Sequence, residues 1–314
     1  MQGQCPCHQA GRDRGERWKA ARRIRLPGTA RFLPLLAPVH LLLLSIIVLP
    51  SFYVVWLSLN ISSFGQAPSF VGMQNYWRVL LDPAFHRALL NTVVLVVVAV
   101  HLELAAGLCM ALLFASGLPF RRVLLVAVLA PYAVSEVTAV VMWRFLFDPD
   151  AGPVTLALSA LGLPGLDWSF APTDALILVG LLTIWLHLPF TFVIIYAARL
   201  AIPTELYEAA RIDGATKLQA FRRVTLPLLG PAMLIALLFR YIFAFRLFSE
   251  AWLLTQGGPA RSTEVVAIYL YQEAFTFNAF GPAAATAWIM VLTSMLLAAG
   301  YVLLLRRGGL VHAH

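Results

Sequence analysis

The sequence predicts an all-α integral membrane fold with six membrane-crossing helices, and three observations predict it. The first is composition: 61% of the 314 residues are hydrophobic, only 12% are charged, and the mean hydropathy is +0.81, too few polar groups to coat a soluble globule. The second is length: apolar runs near 33–57, 89–116, 124–147, 174–198, 231–255 and 283–305 each reach the roughly 20 residues that cross a hydrocarbon core about 30 Å thick. The third is the placement of cations. With the N-terminus inside, the inner segments hold Arg12, Arg14, Arg17, Lys19, Arg22, Arg23, Arg25, Arg31, Arg121, Arg122, Arg199, Arg211, Lys217, Arg222, Arg223, Arg306 and Arg307. The outer side keeps Arg78, Arg87, Arg144 and Arg261, so both termini are expected in the cytoplasm. The net charge of +8 is therefore a topology signal; the basic residues are not clustered as a nucleic-acid surface would require.

Taken in chain order, residues 1–31 form a basic cytoplasmic tail expected to be disordered. The tail is too long and too basic for a cleavable signal, and no small-residue cleavage site follows the first apolar run, which reads as an uncleaved span. Its Cys5-Pro6-Cys7-His8 lacks a second ligand pair nearby, which speaks against a metal site. The membrane domain runs from 32 to 308, and 309–314 is a short C-terminal tail. Segments near 58–88, 148–173 and 256–282 are the external connections, with turns at Gly257-Gly258-Pro259 and Gly281-Pro282.

Chemistry is conspicuous by the motifs that are missing. The two lysines, Lys19 and Lys217, follow Trp18 and Thr216, so the chain has no Gly-Lys-Ser/Thr phosphate loop and no Walker A route to ATP. It also lacks a His-Glu-x-x-His helix, a Gly-x-Ser-x-Gly elbow and a Cys-x-x-Cys pair. The expectation is a chain that is not an enzyme and holds no cofactor or metal of its own.

The inner connection at 199–230 is a charged, helix-forming island between two apolar runs. Pro203 and Thr204 offer a helix start, with Thr204 as a capping hydroxyl, and Glu205 and Glu208 place negative charge where the helix dipole favours it. A helix over 204–212 should stop at Asp213-Gly214, since glycine tolerates the left-handed conformation that ends helices. Thr216 and Gln219 match a capping box for a second helix running to Val224, ended by Leu226-Pro227. Ala209, Ala210, Gly214 and Ala215 give a shallow profile. Composition alone fits both a docking element and a solvated or headgroup-bound connector.

Glu208-Ala209-Ala210, Asp213-Gly214-Ala215 and Leu226-Pro227 resemble the EAA loop of binding-protein-dependent ABC importer permeases. Phe70-Val71-Gly72-Met73-Gln74-Asn75-Tyr76, Asn91-Thr92, Trp143-Arg144-Phe145-Leu146-Phe147, Leu254-Thr255-Gln256-Gly257-Gly258-Pro259 and Tyr271-Gln272-Glu273-Ala274-Phe275 are similar to words of its carbohydrate branch, the maltose and glycerol-phosphate type first permease. The likeness extends over most of the chain outside its two tails.

This resemblance implies half of a translocation path for a sugar, polyol or sugar phosphate across a prokaryotic cytoplasmic membrane. It implies a second, homologous permease, an extracytoplasmic solute-binding protein and a dimer of ATPase subunits that use ATP and Mg. It also implies that Glu208, Ala209, Ala210, Asp213 and Gly214 couple this chain to the ATPase. Two other readings compete. An ion-gradient-driven secondary transporter would carry an internal repeat of broken helices, and no clear repeat separates the two halves. A membrane-embedded enzyme or scaffold is the remaining one.

For the solute path the handle is intramembrane polarity. Arg240 falls near the middle of the fifth span, where its cost in lipid requires it to face protein or water. Arg246 and Glu250, spaced i, i+4, either pair with each other or meet solute. Glu136, Trp185 and Tyr241 complete the candidate path, the aromatics as faces on which a sugar could stack. His101, Glu103 and His187 are embedded as well, a setting in which helix-to-helix hydrogen bonding is the commoner role, and Trp143 fits stacking or packing. Similar permeases often carry aspartate where this chain has Ser249, so no role is transferred to that position.

Overall fold

The structure is a computed structural model and describes residues 33–307. The tails at 1–31 and 309–314, with Cys5, Cys7 and His8, lie outside the described residues. The chain divides into two compact units between Val54 and Val55. Helix α1 (Leu33–Ser58) runs across that division, and within the first unit Leu41, Leu42, Leu44, Ile46 and Ile47 are all exposed. A helix apolar on its whole circumference fits lipid rather than water.

In the second unit, the end of α1 is followed by a two-stranded hairpin, β1 (Asn60–Ile61) antiparallel to β2 (Ser69–Phe70), and the short amphipathic helix α2 (Gln74–Leu81). Asp82 ends α2 and caps the next helix, its carboxylate accepting from the Ala84 amide at 2.8 Å with Pro83 in the first turn. The long helices are α3 (Pro83–Ala115), α7 (Pro172–Leu200), α10 (Leu226–Ala244) and α13 (Phe280–Arg307). Between them lie α4 (Arg121–Ala133), α5 (Glu136–Leu146), α6 (Pro153–Ala160), α8 (Glu205–Ile212), α9 (Lys217–Ala220), α11 (Ser249–Thr255) and α12 (Val266–Tyr271). Among the described residues, five helices are long and apolar enough to span a membrane, or six if the bent pair α4–α5 is one crossing.

Two of the expected spans are not continuous. The run at 124–147 bends by 105° between α4 and α5. Pro131 weakens the end of α4 by removing a donor, and Ser135 starts α5 afresh by accepting from the Thr138 amide. The run at 231–255 stops at Ala244, and the chain turns before α11 begins at Ser249. Apolar content alone does not reveal such breaks, because both sides of each break are equally apolar.

The core is built on α3 and α7. Gly107 permits their close approach, since a Cβ there would stand 3.1 Å from the Thr191 methyl and 3.3 Å from the Phe192 nitrogen. Around this contact Phe114, Phe192, Ile195 and Leu229 bury one cluster, and Leu178, Leu182, Leu254 and Ile268 another. The two ends of α3 carry different neighbours. Near Pro83, Asn91 donates to the Arg261 and Glu264 carbonyls, and Tyr269 donates to Asp82 at 2.8 Å. Near Ala115, the cluster holding Phe114 takes in Ile202 and Tyr207. The connections at 58–88 and 256–282 and the charged island thus sit at opposite ends of one spanning helix.

Candidate functional site

The island folds as a helix, a glycine turn and a second helix. At the end of α8 the Ala215 amide donates to the Ala210 carbonyl and the Gly214 amide to the Arg211 carbonyl, a Schellman closure with Gly214 at φ +75°. The capping box is complete, Thr216 accepting from the Gln219 amide while the Gln219 side chain accepts from the Thr216 amide at 2.8 Å. Thr204 departs from expectation: its backbone is already helical and its hydroxyl caps nothing. Leu226-Pro227 also departs, because it does not end the second helix. A π turn over Phe221–Thr225, closed by the Leu226 amide to the Phe221 carbonyl, leads from α9 into α10. The wider turn leaves room for the Pro227 ring in the first turn of α10, where its missing donor costs little.

Every residue of this unit assigned to coupling is at the surface. Glu208, Ala209, Asp213 and Gly214 are exposed and Ala210 is half-buried. Leu206 and Ile212 are exposed beside them, Ile212 at 87%, so the charged surface of α8 also presents apolar side chains. Small and apolar residues at helical spacing, rimmed by charge, form a surface shaped for a groove in another chain.

The second feature is a cavity of about 560 Å³ where the bent α4–α5 pair faces α7, α10 and the turn before α11. It brings together four of the six candidate path residues, Glu136, Arg240, Arg246 and Glu250, with Ser249 beside them. Arg240 is 3% exposed and donates to Glu103 from Nε at 2.6 Å and from a terminal nitrogen at 2.8 Å. This bidentate pair settles why an arginine is tolerated in the fifth span. Of the two readings of Arg246 and Glu250, pairing with each other is not formed: the chain breaks between them, so helical spacing no longer applies, and Glu250 meets His187 at 3.2 Å instead. Arg246 is exposed and makes no ion pair among the described residues, and Glu136 is exposed as well.

Tyr241 and Trp185 do not line this cavity. Tyr241 points to the opposite side of α10, 4% exposed, with its hydroxyl 3.4 Å from His101 and its ring near Tyr301. Trp185 packs on Trp143 with ring centroids 5.8 Å apart. In their place the structure supplies Tyr132, Phe190, Phe243 and Phe248. The signals for these were present in Pro131 and Ser135, which mark the bend, but they become readable only once the bend is known. Among the described residues no group of three or more histidines, cysteines and carboxylates is placed to hold a metal ion.

The far end of α3 is a polar network. Burial pushes the Tyr269 phenol above its ordinary range, reinforced by its bond to Asp82. The Arg261 guanidinium is raised by its hydrogen bonds to Glu264. Burial also raises the Glu273 carboxyl, which Arg78 at 3.7 Å only partly offsets.

Comparison with known proteins follows the same outline. The family described as Binding-protein-dependent transport system inner membrane component matches residues 103–309. The sulfoquinovosyl glycerol transport system permease protein SmoG of Agrobacterium fabrum is 36% identical over 277 residues, covering 87% of this chain and 89% of its own. The trehalose/maltose transport system permease protein MalF of Thermococcus litoralis is 34% identical over 282 residues, covering 90% and 93%. Among solved structures, a chain of a bacterial ABC transporter involved in the import of the acidic polysaccharide alginate superposes with a TM-score of 0.77 at 22% identity, covering 93% of this chain and 99% of that one.

Proposed function

The chain belongs to the binding-protein-dependent transport system inner membrane component family, a multi-pass transport subunit of the inner membrane, and from that premise we propose how it works. It forms half of the path by which a carbohydrate or a related polyol or sugar phosphate is imported, and a second permease of the same family forms the rest. The names of its relatives support a sugar-like solute. A solute-binding protein delivers it at the end of the molecule near Pro83. ATP and magnesium act on separate ATPase subunits, which receive the island at the other end, so that both termini lie in the cytoplasm.

The observation that carries this reading is the exposed α8–Gly214–α9 unit. Its alanines allow close approach, Ile212 and Leu206 offer apolar area, and Glu208 and Asp213 offer charge to a basic groove. The cavity supplies the complementary half: unpaired Arg246 and Glu136 are donor and acceptor to hydroxyl groups, and Tyr132, Phe190 and Phe243 are apolar faces.

Co-purification with the candidate ATPase, second permease and binding protein tests it, using Ala209→Arg as the control. The wild-type chain should retain the ATPase and show solute-dependent hydrolysis across a sugar panel, and Ala209→Arg should lose the ATPase alone. Retention of the ATPase by Ala209→Arg would remove the island from the interface.

A further inference from the structure

One side chain ties the exposed island to the helical body. Helix α8 has no fully buried residue; its Tyr207 is half-buried and packs against the cluster of Phe192, Ile195 and Leu229. Two further contacts fix it. The guanidinium of Arg199, at the end of α7, lies 4.4 Å from the centre of the Tyr207 ring. The Tyr207 hydroxyl lies 3.0 Å from Thr225 Oγ1, either oxygen being able to donate. Thr225 is 3% exposed and closes the π turn from which α10 rises.

The position of Thr225 gives this bond a mechanical meaning. Helix α10 carries Arg240 and Phe243, which line the cavity, about 22 and about 27 Å further along at 1.5 Å per residue. Beside these contacts, α8 continues into the rest of the chain through the backbone at 201–204 and the glycine turn after Asp213. A force applied to α8 reaches α10 through the packing of Tyr207 against the cluster that holds Leu229 and through the Tyr207–Thr225 bond, and of the two the hydrogen bond is the directional contact that resists sliding.

We infer that Tyr207 is a positioning residue of the transport cycle: its hydroxyl bond to Thr225 ties the coupling helix to the foot of α10, so that displacement of α8 moves the cavity wall. This rests on the coupling role proposed above for the island. Tyr207 is not among the residues lining the cavity; it acts through α10.

The test uses the full importer in lipid nanodiscs and proteoliposomes, reading solute taken up per ATP hydrolysed. Tyr207→Phe keeps the ring, its packing and the Arg199 contact, and removes only the hydroxyl. It should lower uptake per ATP about fivefold, the lower end of the range for coupled sites. Thr225→Val should lower the ratio to the same degree, Thr225→Ser should keep the wild-type ratio, and the double variant should be no worse than either single one. An unchanged ratio in Tyr207→Phe overturns the inference, as does a double variant in which the two losses multiply. A wild-type assembly without solute-dependent ATP hydrolysis overturns the coupling reading beneath it, an outcome distinct from a coupled wild type with a silent Tyr207→Phe.

Discussion

Replacing Glu103 by glutamine isolates the guanidinium of Arg240 in the middle of the second unit. Both side chains are almost fully enclosed, at 3% and 0% exposure, and the pair is bidentate at 2.6 and 2.8 Å. Removing one member of a buried pair costs about 3–5 kcal/mol, because the surviving charge loses its partner without regaining water. Glutamine offers one carbonyl oxygen and no charge, so the cost should fall near the lower limit of about 3 kcal/mol. Against a total stability on the order of 5–15 kcal/mol, that is enough to cut the amount of folded protein. Replacing both residues, Glu103→Leu with Arg240→Met, should recover most of the loss, since an apolar pair of similar volume has no charge to desolvate. The assay is unfolding of the purified chain in detergent for the two singles and the double, analysed as a cycle. A single variant within about 1 kcal/mol of wild type, or a double as unstable as the summed singles, would refute the reasoning.

Gly214→Val should abolish uptake while leaving membrane insertion intact, because φ +75° costs a β-branched residue about 1–2 kcal/mol or more and unmakes the Schellman turn; Glu208→Lys should do the same by reversing charge on the docking face, and normal uptake by either variant would remove the assignment. Arg246→Ala should raise the solute concentration for half-maximal uptake about tenfold, the worth of a charge-assisted hydrogen bond, while expression stays normal; unchanged concentration dependence would take Arg246 off the path. Burial raises the Glu273 carboxyl, so the folded state holds that proton more tightly than the unfolded chain. Its contribution is therefore full below the unfolded carboxylate range and is lost as pH rises through the raised value. Thermal unfolding from about pH 4 to about pH 7 should show Glu273→Gln gaining on wild type as pH rises, and a constant difference would contradict the assignment.

The chain's class and much of its site were legible in its residues for definable reasons. Apolar runs of membrane length and the placement of arginine report helix count directly, and Asp213-Gly214 with Thr216 and Gln219 spell a turn whose chemistry is local. Four features were not legible. The bend between α4 and α5 and the stop at Ala244 lie inside apolar runs, where hydropathy has no contrast. The partner of Arg240 is 137 residues away, and spacing cannot choose between Glu103, Glu136 and Glu250. Tyr241 and Trp185 were assigned to the path from residue type, but which side of a helix faces a cavity depends on packing, and both turn into the core. Arg246 and Glu250 failed as a pair for the opposite reason: the i, i+4 rule holds only within an unbroken helix.

ATP hydrolysis on a separate subunit is the proposed drive for transport. Proteoliposomes holding this chain with its second permease and ATPase subunits, supplied with the binding protein and solute on one side and ATP on the other, measure that drive. Uptake should require ATP, the binding protein and the intact island, and should persist when ion gradients are collapsed. Uptake by this chain without an ATPase subunit, driven by a proton or sodium gradient, would contradict it.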